Sequence, residues 1–212
     1  QAALLGASAI GMIACWIVAP LIPEPTTLLR YRIGTYGGAT LFFALLGATV
    51  AMGVALAAIV RTRWLVLTAF VAFVAAMALN ISDVPVASDV AKVVFGIAAG
   101  AGVIRAIERP WWLLPVTICV PLADAWSVFS SHGVTNAVVE KAAKEPRWID
   151  WPTIAVPIPG FDYDDFGRMG TTDIFFLALL IAAAMRWQLG VRRIAIALPM
   201  TLIIMTEGLD LS

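Results

Sequence analysis

Long apolar segments separated by short polar joints constrain the fold of this chain more than any other feature of its sequence. Of the 212 residues, 61% are hydrophobic and only 13% are charged, which is more apolar surface than a soluble domain of this size can bury. Seven segments have close to the roughly 20 residues that a helix needs to cross a bilayer. We therefore predict an all-α fold, a polytopic transmembrane helical bundle with about seven spans. The segments are residues 3–22, 37–60, 64–80, 91–107, 112–131, 167–187 and 191–208.

The ends of these segments carry residues that favour a membrane–water interface. Trp64 follows Arg63 and Trp187 follows Arg186, a pairing typical of aromatic and cationic anchors. The short loops on one side are denser in arginine, so the longest loop is expected on the outer side. We expect a multi-pass integral protein of a prokaryotic inner membrane, in contact with lipid. Because the chain opens at Gln1 rather than at a methionine, we expect terminal helices to be missing from it.

Charge and potential metal ligands exclude several classes of function. The chain has 14 basic and 14 acidic residues and no basic run, so nucleic acid is not an expected partner. Cys15 and Cys119 lie in apolar segments without metal-like spacing, and we interpret both as buried apolar thiols. His132 is the single histidine, and its ligation of a tetrapyrrole or metal is a minor alternative. We predict no cofactor and no metal site.

A long connection divides the predicted helices into two groups. Within it, residues 134–144 have helical spacing, and Pro146 ends that helix. Residues 148–161 are apolar, β-branched and rich in proline, which predicts an extended segment able to offer an edge to another strand. The three parts of the chain are the N-terminal helices at 1–131, the connection at 132–166, and the last two helices at 167–212.

Small residues recur in one of the apolar segments. Gly96 and Gly100 are four residues apart, Gly102 follows closely, and alanines surround them. Such spacing lets two helix backbones approach each other where lipid supplies no hydrophobic drive. We predict a close helix–helix contact there rather than a ligand site.

Two aspartates are the strongest indication of chemistry in this sequence. Asp124 lies within an apolar span, where a carboxylate costs roughly 2.5–3.5 kcal/mol on insertion scales. Asp173 lies near the start of its predicted helix, so capping of free amide groups is its alternative interpretation. Each aspartate is about seven residues from the long connection, which predicts a similar depth for the two carboxyl groups in antiparallel helices.

Paired carboxyl groups at one depth imply a definite chemistry, because two groups in contact cannot both ionise cheaply and share one proton. The ionised group can activate a water as general base while the protonated group polarises a peptide carbonyl. Thr171, Thr172 and Ser127 could help to hold that water. This is aspartic-protease chemistry, and a proton or ion relay is the other functional interpretation of acids in a membrane.

The residues around both aspartates resemble a known family. The run Asp-Ala-Trp-Ser-Val-Phe-Ser-Ser-His-Gly-Val-Thr-Asn-Ala-Val-Val-Glu occupies 124–140, and Gly-Thr-Thr-Asp-Ile-Phe-Phe occupies 170–176. The stretch 122–177 thereby resembles the presenilin and signal-peptide-peptidase superfamily of intramembrane aspartyl proteases. The resemblance implies that Asp124 and Asp173 are catalytic, and that substrate is held as a strand ahead of the second aspartate helix. The substrate-binding residues it implies are Gly170, Thr171, Thr172, Ile154 and Val156.

Three departures from the family pattern bear on activity. Ala123 stands where the family has tyrosine, Thr172 stands for the second glycine of Gly-x-Gly-Asp, and no Pro-Ala-Leu tripeptide is present. The run Ala-Leu-Pro that ends at Pro199 lies in mid-span, and we interpret it as a helix kink.

Three functions are therefore weighed. The leading hypothesis is an intramembrane aspartyl endopeptidase that uses water to cleave transmembrane segments or signal-peptide remnants. The second is a catalytically silent homologue that serves as a structural subunit of a larger membrane complex. The third is an ion or proton carrier that uses the same acids. The expected partners are lipid, a transmembrane peptide substrate and other membrane subunits.

Overall fold

A computed structural model describes residues 2–22, 28–116, 150–161 and 166–189, together with the single positions 118, 119, 122, 126 and 137. Within these ranges the structure is mainly helical, with one short antiparallel strand pair. The elements are α1 (Ala2–Val18), α2 (Leu28–Ala57), α3 (Thr62–Ile81), α4 (Pro85–Ala106), β1 (Thr153–Val156), β2 (Gly167–Gly170) and α5 (Thr171–Arg186).

Three helices of the described residues are long and apolar enough to cross a membrane. They comprise Gly37–Ala57 within α2, Thr62–Ile81 and Pro85–Ala106. Only 17% of the α3 window is buried inside the protein, against 56% of the α4 window, so α3 lies at the periphery and α4 at the centre. This composition is compatible with a membrane protein. The spans predicted at 112–131 and 191–208 lie largely outside the described residues.

The segment predicted as one helix at 167–187 is divided in two, and that part of the prediction was wrong. Its first four residues form β2, and the helix begins only at Thr171. Glycines at both ends of β2 disfavour helix, and pairing with β1 satisfies the backbone instead. The prediction of an extended segment at 148–161 is confirmed for the four residues of β1.

The central helix begins earlier than the predicted start at residue 91. Pro85 occupies the first turn of α4, where its fixed φ and missing N–H are compatible with helix. The added turns contain Asp89, which is fully buried, and Lys92 lies three residues further on and is also buried. A buried acid and a buried base thus lie on the same face of α4.

The contact between α4 and α5 confirms the predicted close packing at two of the three glycines. A Cβ on Gly96 would lie 2.9 Å from Ile174 Cγ2, and one on Gly100 would lie 2.6 Å from the Phe175 carbonyl oxygen. No atom of the described residues lies within 4 Å of such a Cβ at Gly102, so its part in a close contact stays a prediction. Later residues of α4 contact later residues of α5, so the two helices run parallel.

The turn after β1 is fixed by the pair α1 and α2. Gly160 adopts a positive φ of 87°, and its N–H donates to the Ala19 carbonyl oxygen at 3.0 Å. Gly38 of α2 lies directly against Pro159, since a Cβ there would come 2.5 Å from Pro159 Cδ. These contacts hold the strand pair at the end of the bundle where α4 and α5 begin.

Candidate active site

β1 and β2 form an antiparallel pair that leads directly into α5. Thr153 lies opposite Gly170, and this register continues over four residue pairs. Next to the helix, the Thr171 N–H donates to the Pro152 carbonyl oxygen at 2.8 Å. The strand pair therefore fixes the first residue of α5 against the start of β1.

Each strand has an outer edge that faces away from its partner. Antiparallel pairs alternate between bonded and non-bonded positions. Because the first residue of α5 occupies a bonded position, Thr153 with Gly170 and Ala155 with Arg168 occupy non-bonded ones. The N–H and C=O groups of Thr153 and Ala155 thus point to the outer edge of β1. Those of Arg168 and Gly170 point to the outer edge of β2.

Buried side chains of α4 and α1 occupy the outer edge of β1. Lys92 Nζ donates to the Thr153 carbonyl oxygen at 2.8 Å. The Ala155 N–H donates to Asp89 Oδ2 at 2.9 Å, and Trp16 Nε1 donates to the Ala155 carbonyl oxygen at 2.7 Å. Three backbone groups of one short strand are therefore bound by side chains instead of by a third strand.

Asp89 and Lys92 form a buried ion pair that the sequence analysis missed. Lys92 Nζ lies 3.0 Å from Asp89 Oδ1, and the two residues are 3% and 0% exposed. The ammonium also donates to the Asp150 carbonyl oxygen, so its three N–H donors have three acceptors. The signal that could have found the pair is its three-residue spacing on a helical face. The predicted helix start at 91 left Asp89 outside the span.

A second polar cluster holds the chain just before β1. Asp150 Oδ1 lies 2.6 Å from Arg168 Nη1 of β2, and both side chains are only partly exposed. The Asp150 carbonyl oxygen also accepts a bond from Asn80 Nδ2 at 3.4 Å. Ser88 Oγ donates in turn to Asn80 Oδ1 at 2.9 Å. The ends of α3 and α4 are thus linked to both strands.

Asp173 lies where the outer edge of β2 meets α5. It is the third residue of the helix and is exposed, and its Oδ2 accepts the Gly170 N–H at 3.1 Å. This is the bond that an acid at this position makes in a helix cap, as the alternative interpretation of Asp173 predicted. Because the Gly170 N–H is an outer-edge group, the same bond brings the carboxylate to the outer edge of β2.

The other predicted site residues lie in two different environments. Thr171 is half-buried and Thr172 is exposed, and both directly precede Asp173. Ile154 is 0% exposed and Val156 is 8% exposed, so both side chains belong to the core under β1. Their role in substrate binding stays a prediction. In it, the buried side chains would hold the backbone of the strand pair in place.

Several predicted residues lie outside the described part of the chain. Asp124 and Ser127 are among them, as are Ala123 and His132. The pairing of the two aspartates therefore stays a prediction. Among the described residues, no group of three or more His, Cys, Asp or Glu side chains is arranged to hold a metal ion.

A cavity of about 340 Å³ adjoins the start of α5. Its walls include the rings of Phe73 on α3, Phe95 on α4 and Phe175 on α5. The side chains of Thr171 and Thr172 border it on the side of the strand pair. An apolar side chain of a bound peptide would fit a space of this size and lining.

Comparison of the chain with protein-family models, with curated proteins and with solved structures gives no match.

Proposed function

We propose that this chain is a multi-pass membrane protein of about seven spans and an intramembrane aspartyl endopeptidase that resembles the presenilin and signal-peptide-peptidase superfamily. Asp124 and Asp173 are its catalytic pair. The observation that carries the proposal is the position of the Asp173 carboxylate at the outer edge of β2. A peptide that adds to this edge as a strand brings its backbone next to the carboxylate.

The described helices support a common depth for the two aspartates. α4 and α5 run parallel, so the proposal includes a helix of opposite direction between them, whose residues lie largely outside the described part of the chain. Asp173 directly precedes the residue that packs on Gly96, which is about 15 Å of helix rise from the end of α4 at Ala106. Described helical residues start again at Leu113, and a helix continued from there would place Asp124 about 16 Å of rise further on.

The proposed reaction is hydrolysis of one peptide bond by a water between the two carboxyl groups. The ionised carboxylate takes a proton from the water, whose oxygen bonds to the peptide carbonyl carbon. The protonated carboxyl group gives its proton to the carbonyl oxygen, which avoids a free oxyanion. Collapse of the tetrahedral intermediate breaks the C–N bond, and the leaving nitrogen takes a proton from the carboxyl group that was the base. One hydroxyl of the intermediate gives its proton to the other carboxylate, so that the products are an acid and an amine and the pair again holds one proton.

The proposed substrates are transmembrane segments or signal-peptide remnants. A helical substrate has no unpaired backbone groups in its middle, so it must unwind before water can attack. Pairing with the backbone of β2 would replace the helical hydrogen bonds that are lost. The aromatic cavity beside Thr172 would take one apolar side chain of the unwound segment.

A catalytically silent structural subunit is the second candidate function. The feature that favours it is Thr172, whose β-branched side chain stands next to Asp173 where the related pattern has glycine. A side chain at this position restricts how closely a peptide backbone can approach the carboxylate. The cleavage experiment below separates the two functions.

The test is cleavage of a generic transmembrane peptide by the purified full-length protein in liposomes. We expect Asp124→Asn and Asp173→Asn each to abolish cleavage while leaving expression and folding intact. Asp83→Asn is the matched control, because Asp83 is exposed at a turn with φ of 59°, a conformation that asparagine tolerates. Cleavage retained by either catalytic variant contradicts the mechanism, and no cleavage by the folded wild type favours the silent subunit.

A further inference from the structure

We propose that Asp89 and Lys92 of α4 are positioning residues for peptide cleavage. The pair binds the outer edge of β1 and fixes the register of the strand pair. It thereby holds β1 in place beside β2, the strand on which a substrate adds next to Asp173. This inference rests on the proposed function, and it assigns a role to the one buried ion pair that the described residues contain within a helix.

The contacts of the pair are concentrated on one short stretch of backbone. Lys92 binds the carbonyl oxygens of Asp150 and Thr153, and Asp89 binds the N–H of Ala155. Three anchor points therefore fall within six residues: one lies three residues before β1, one at its start and one in its middle. Each of these hydrogen bonds joins the pair to one particular backbone group. Together they fix where β1 lies along its own direction.

The strands themselves specify this register weakly. The ladder has only four residue pairs, and both ends of β2 are glycine, Gly167 and Gly170. Register is poorly determined in short strands rich in glycine, because few side chains distinguish one pairing from another. A slip of two residues keeps every side chain on its face and moves the backbone by about 6.8 Å. Such a slip would remove Thr153 and Ala155 from their anchors on α4.

The charge of the pair is informative about its role. A buried ion pair is weak evidence for stability, since apolar residues of similar volume often stabilise a fold as well or better. Both residues are almost completely buried, and all three ammonium donors are used on directed contacts. Directed hydrogen bonds of charged groups distinguish one strand position from another, which apolar packing does poorly. Selection of register is therefore the property that this pair adds.

The test uses the full-length protein with Lys92→Met, which keeps the length of the side chain and removes its donors. A lone buried Asp89 can prevent folding, so the double variant Asp89→Asn/Lys92→Met is made in parallel. It leaves no unpaired charge, and its amide oxygen can still accept the Ala155 N–H. Arg63→Met is the control, because it removes a positive charge from an exposed position.

Two readouts are measured on each variant. Mass spectrometry of the products of a transmembrane peptide gives the position of cleavage, together with kcat and KM. We expect kcat to fall about tenfold or more in the folded variants, with a smaller change in KM, because the substrate strand is held less well beside Asp173. The position of cleavage should stay the same, since β2 is continuous with α5. Hydrogen exchange of the backbone amides at 150–156 should become about tenfold faster. Arg63→Met should match the wild type in both readouts.

The two proposals can fail separately. An unchanged kcat and unchanged exchange in the folded variants would overturn the positioning role while leaving the protease in place. Absence of cleavage in the wild type would instead overturn the proposed function, and exchange alone would then decide the register role. If the amides of β1 in the double variant exchange as slowly as in the wild type, the register role is overturned. Faster exchange of these amides supports it.

Discussion

The two outer edges of the strand pair are treated very differently by the rest of the protein. At the edge of β1, buried side chains from two helices bind three backbone groups of Thr153 and Ala155. At the edge of β2, the described contact comes from the first turn of α5, where Asp173 accepts the Gly170 N–H. Outer edges invite pairing with another strand. The edge of β1 is therefore closed by buried side chains, and the described contact at the edge of β2 comes from the helix that carries the proposed catalytic acid.

The buried edge of β1 shows how a strand pair can be held within a helical bundle. An unpaired backbone edge is costly where no water can satisfy it. The protein satisfies the edge of β1 with Lys92, Asp89 and Trp16, none of which is more than 3% exposed. In the proposed function, a peptide strand therefore adds to β2, beside Asp173. Substitutions at each edge test this proposal.

The largest expected effect comes from a proline at the outer edge of β2. In Arg168→Pro, the lost N–H is an outer-edge donor, so the ladder to β1 keeps its bonded positions. We expect the protein to fold and kcat/KM for a transmembrane peptide to fall about a hundredfold, or ~2.7 kcal/mol. The measurement is steady-state cleavage in liposomes.

Arg168→Met is the matched control for this prediction. Both variants lose the ion pair between Arg168 and Asp150, but only the proline removes the backbone donor. The pair is partly exposed, so its loss should cost less than about 1 kcal/mol of stability. Equal activity of the two variants would mean that substrate does not pair with the edge of β2.

A smaller effect is expected at the contact between α4 and α5. This contact sets the distance between the outer edge of β1 and Asp173. In Gly100→Ala, the new Cβ would meet the backbone of α5 at Phe175 and the Cβ of Ala178. Overpacking of this kind should cost about 2 kcal/mol of unfolding free energy. The measurement is thermal or denaturant unfolding in detergent, read by circular dichroism.

Gly102→Ala is the control on the same helix. No atom in the described part of the chain lies within 4 Å of a Cβ at Gly102. The change should therefore be neutral or stabilise α4 by up to about 1 kcal/mol, since alanine favours helix over glycine. If both variants are destabilised alike, the close approach of α4 and α5 at Gly100 is contradicted.

The smallest effect is expected at the outer edge of β1. Trp16→Phe keeps most of the buried ring but removes the N–H that binds the Ala155 carbonyl oxygen at 2.7 Å. We expect a loss of about 1 kcal/mol of stability, because a buried acceptor loses one partner. Cleavage position should not change, since β2 remains continuous with α5. The exposed Trp112, changed to Phe, is the control and should leave stability unaltered. A fall of kcat in Trp16→Phe as large as that of the Lys92 variant would assign the positioning of β1 to α1 instead of α4.

Part of this architecture follows from the sequence and part does not. Apolar length alone predicts α3 and most of α2 and α4, because membrane spans are defined by composition. β1 is also predictable, since Thr153, Ile154 and Val156 favour extended backbone. β2 is not, because Gly-Arg-Met-Gly has no strand preference and becomes a strand only by pairing.

Some features of the candidate site can also be predicted from the sequence, and others cannot. The capping position of Asp173 can be read from its place near a helix start. The contacts of Lys92 with the strand join residues 58 and 61 positions apart, and no local pattern specifies them. Only tertiary packing decides which backbone groups a buried lysine meets. The pairing of Asp124 with Asp173 stays a prediction.

The most direct test of the central claim is whether Asp124 and Asp173 face each other beside the edge of β2. The measurement is disulfide formation in membranes by Asp124→Cys/Asp173→Cys, in a background without Cys15 and Cys119. The positive control is Ser8→Cys/Thr49→Cys, whose native hydroxyl oxygens are 3.2 Å apart. The account predicts a crosslink as complete as that of the control. Full crosslinking of the control with none between positions 124 and 173 would contradict the paired site.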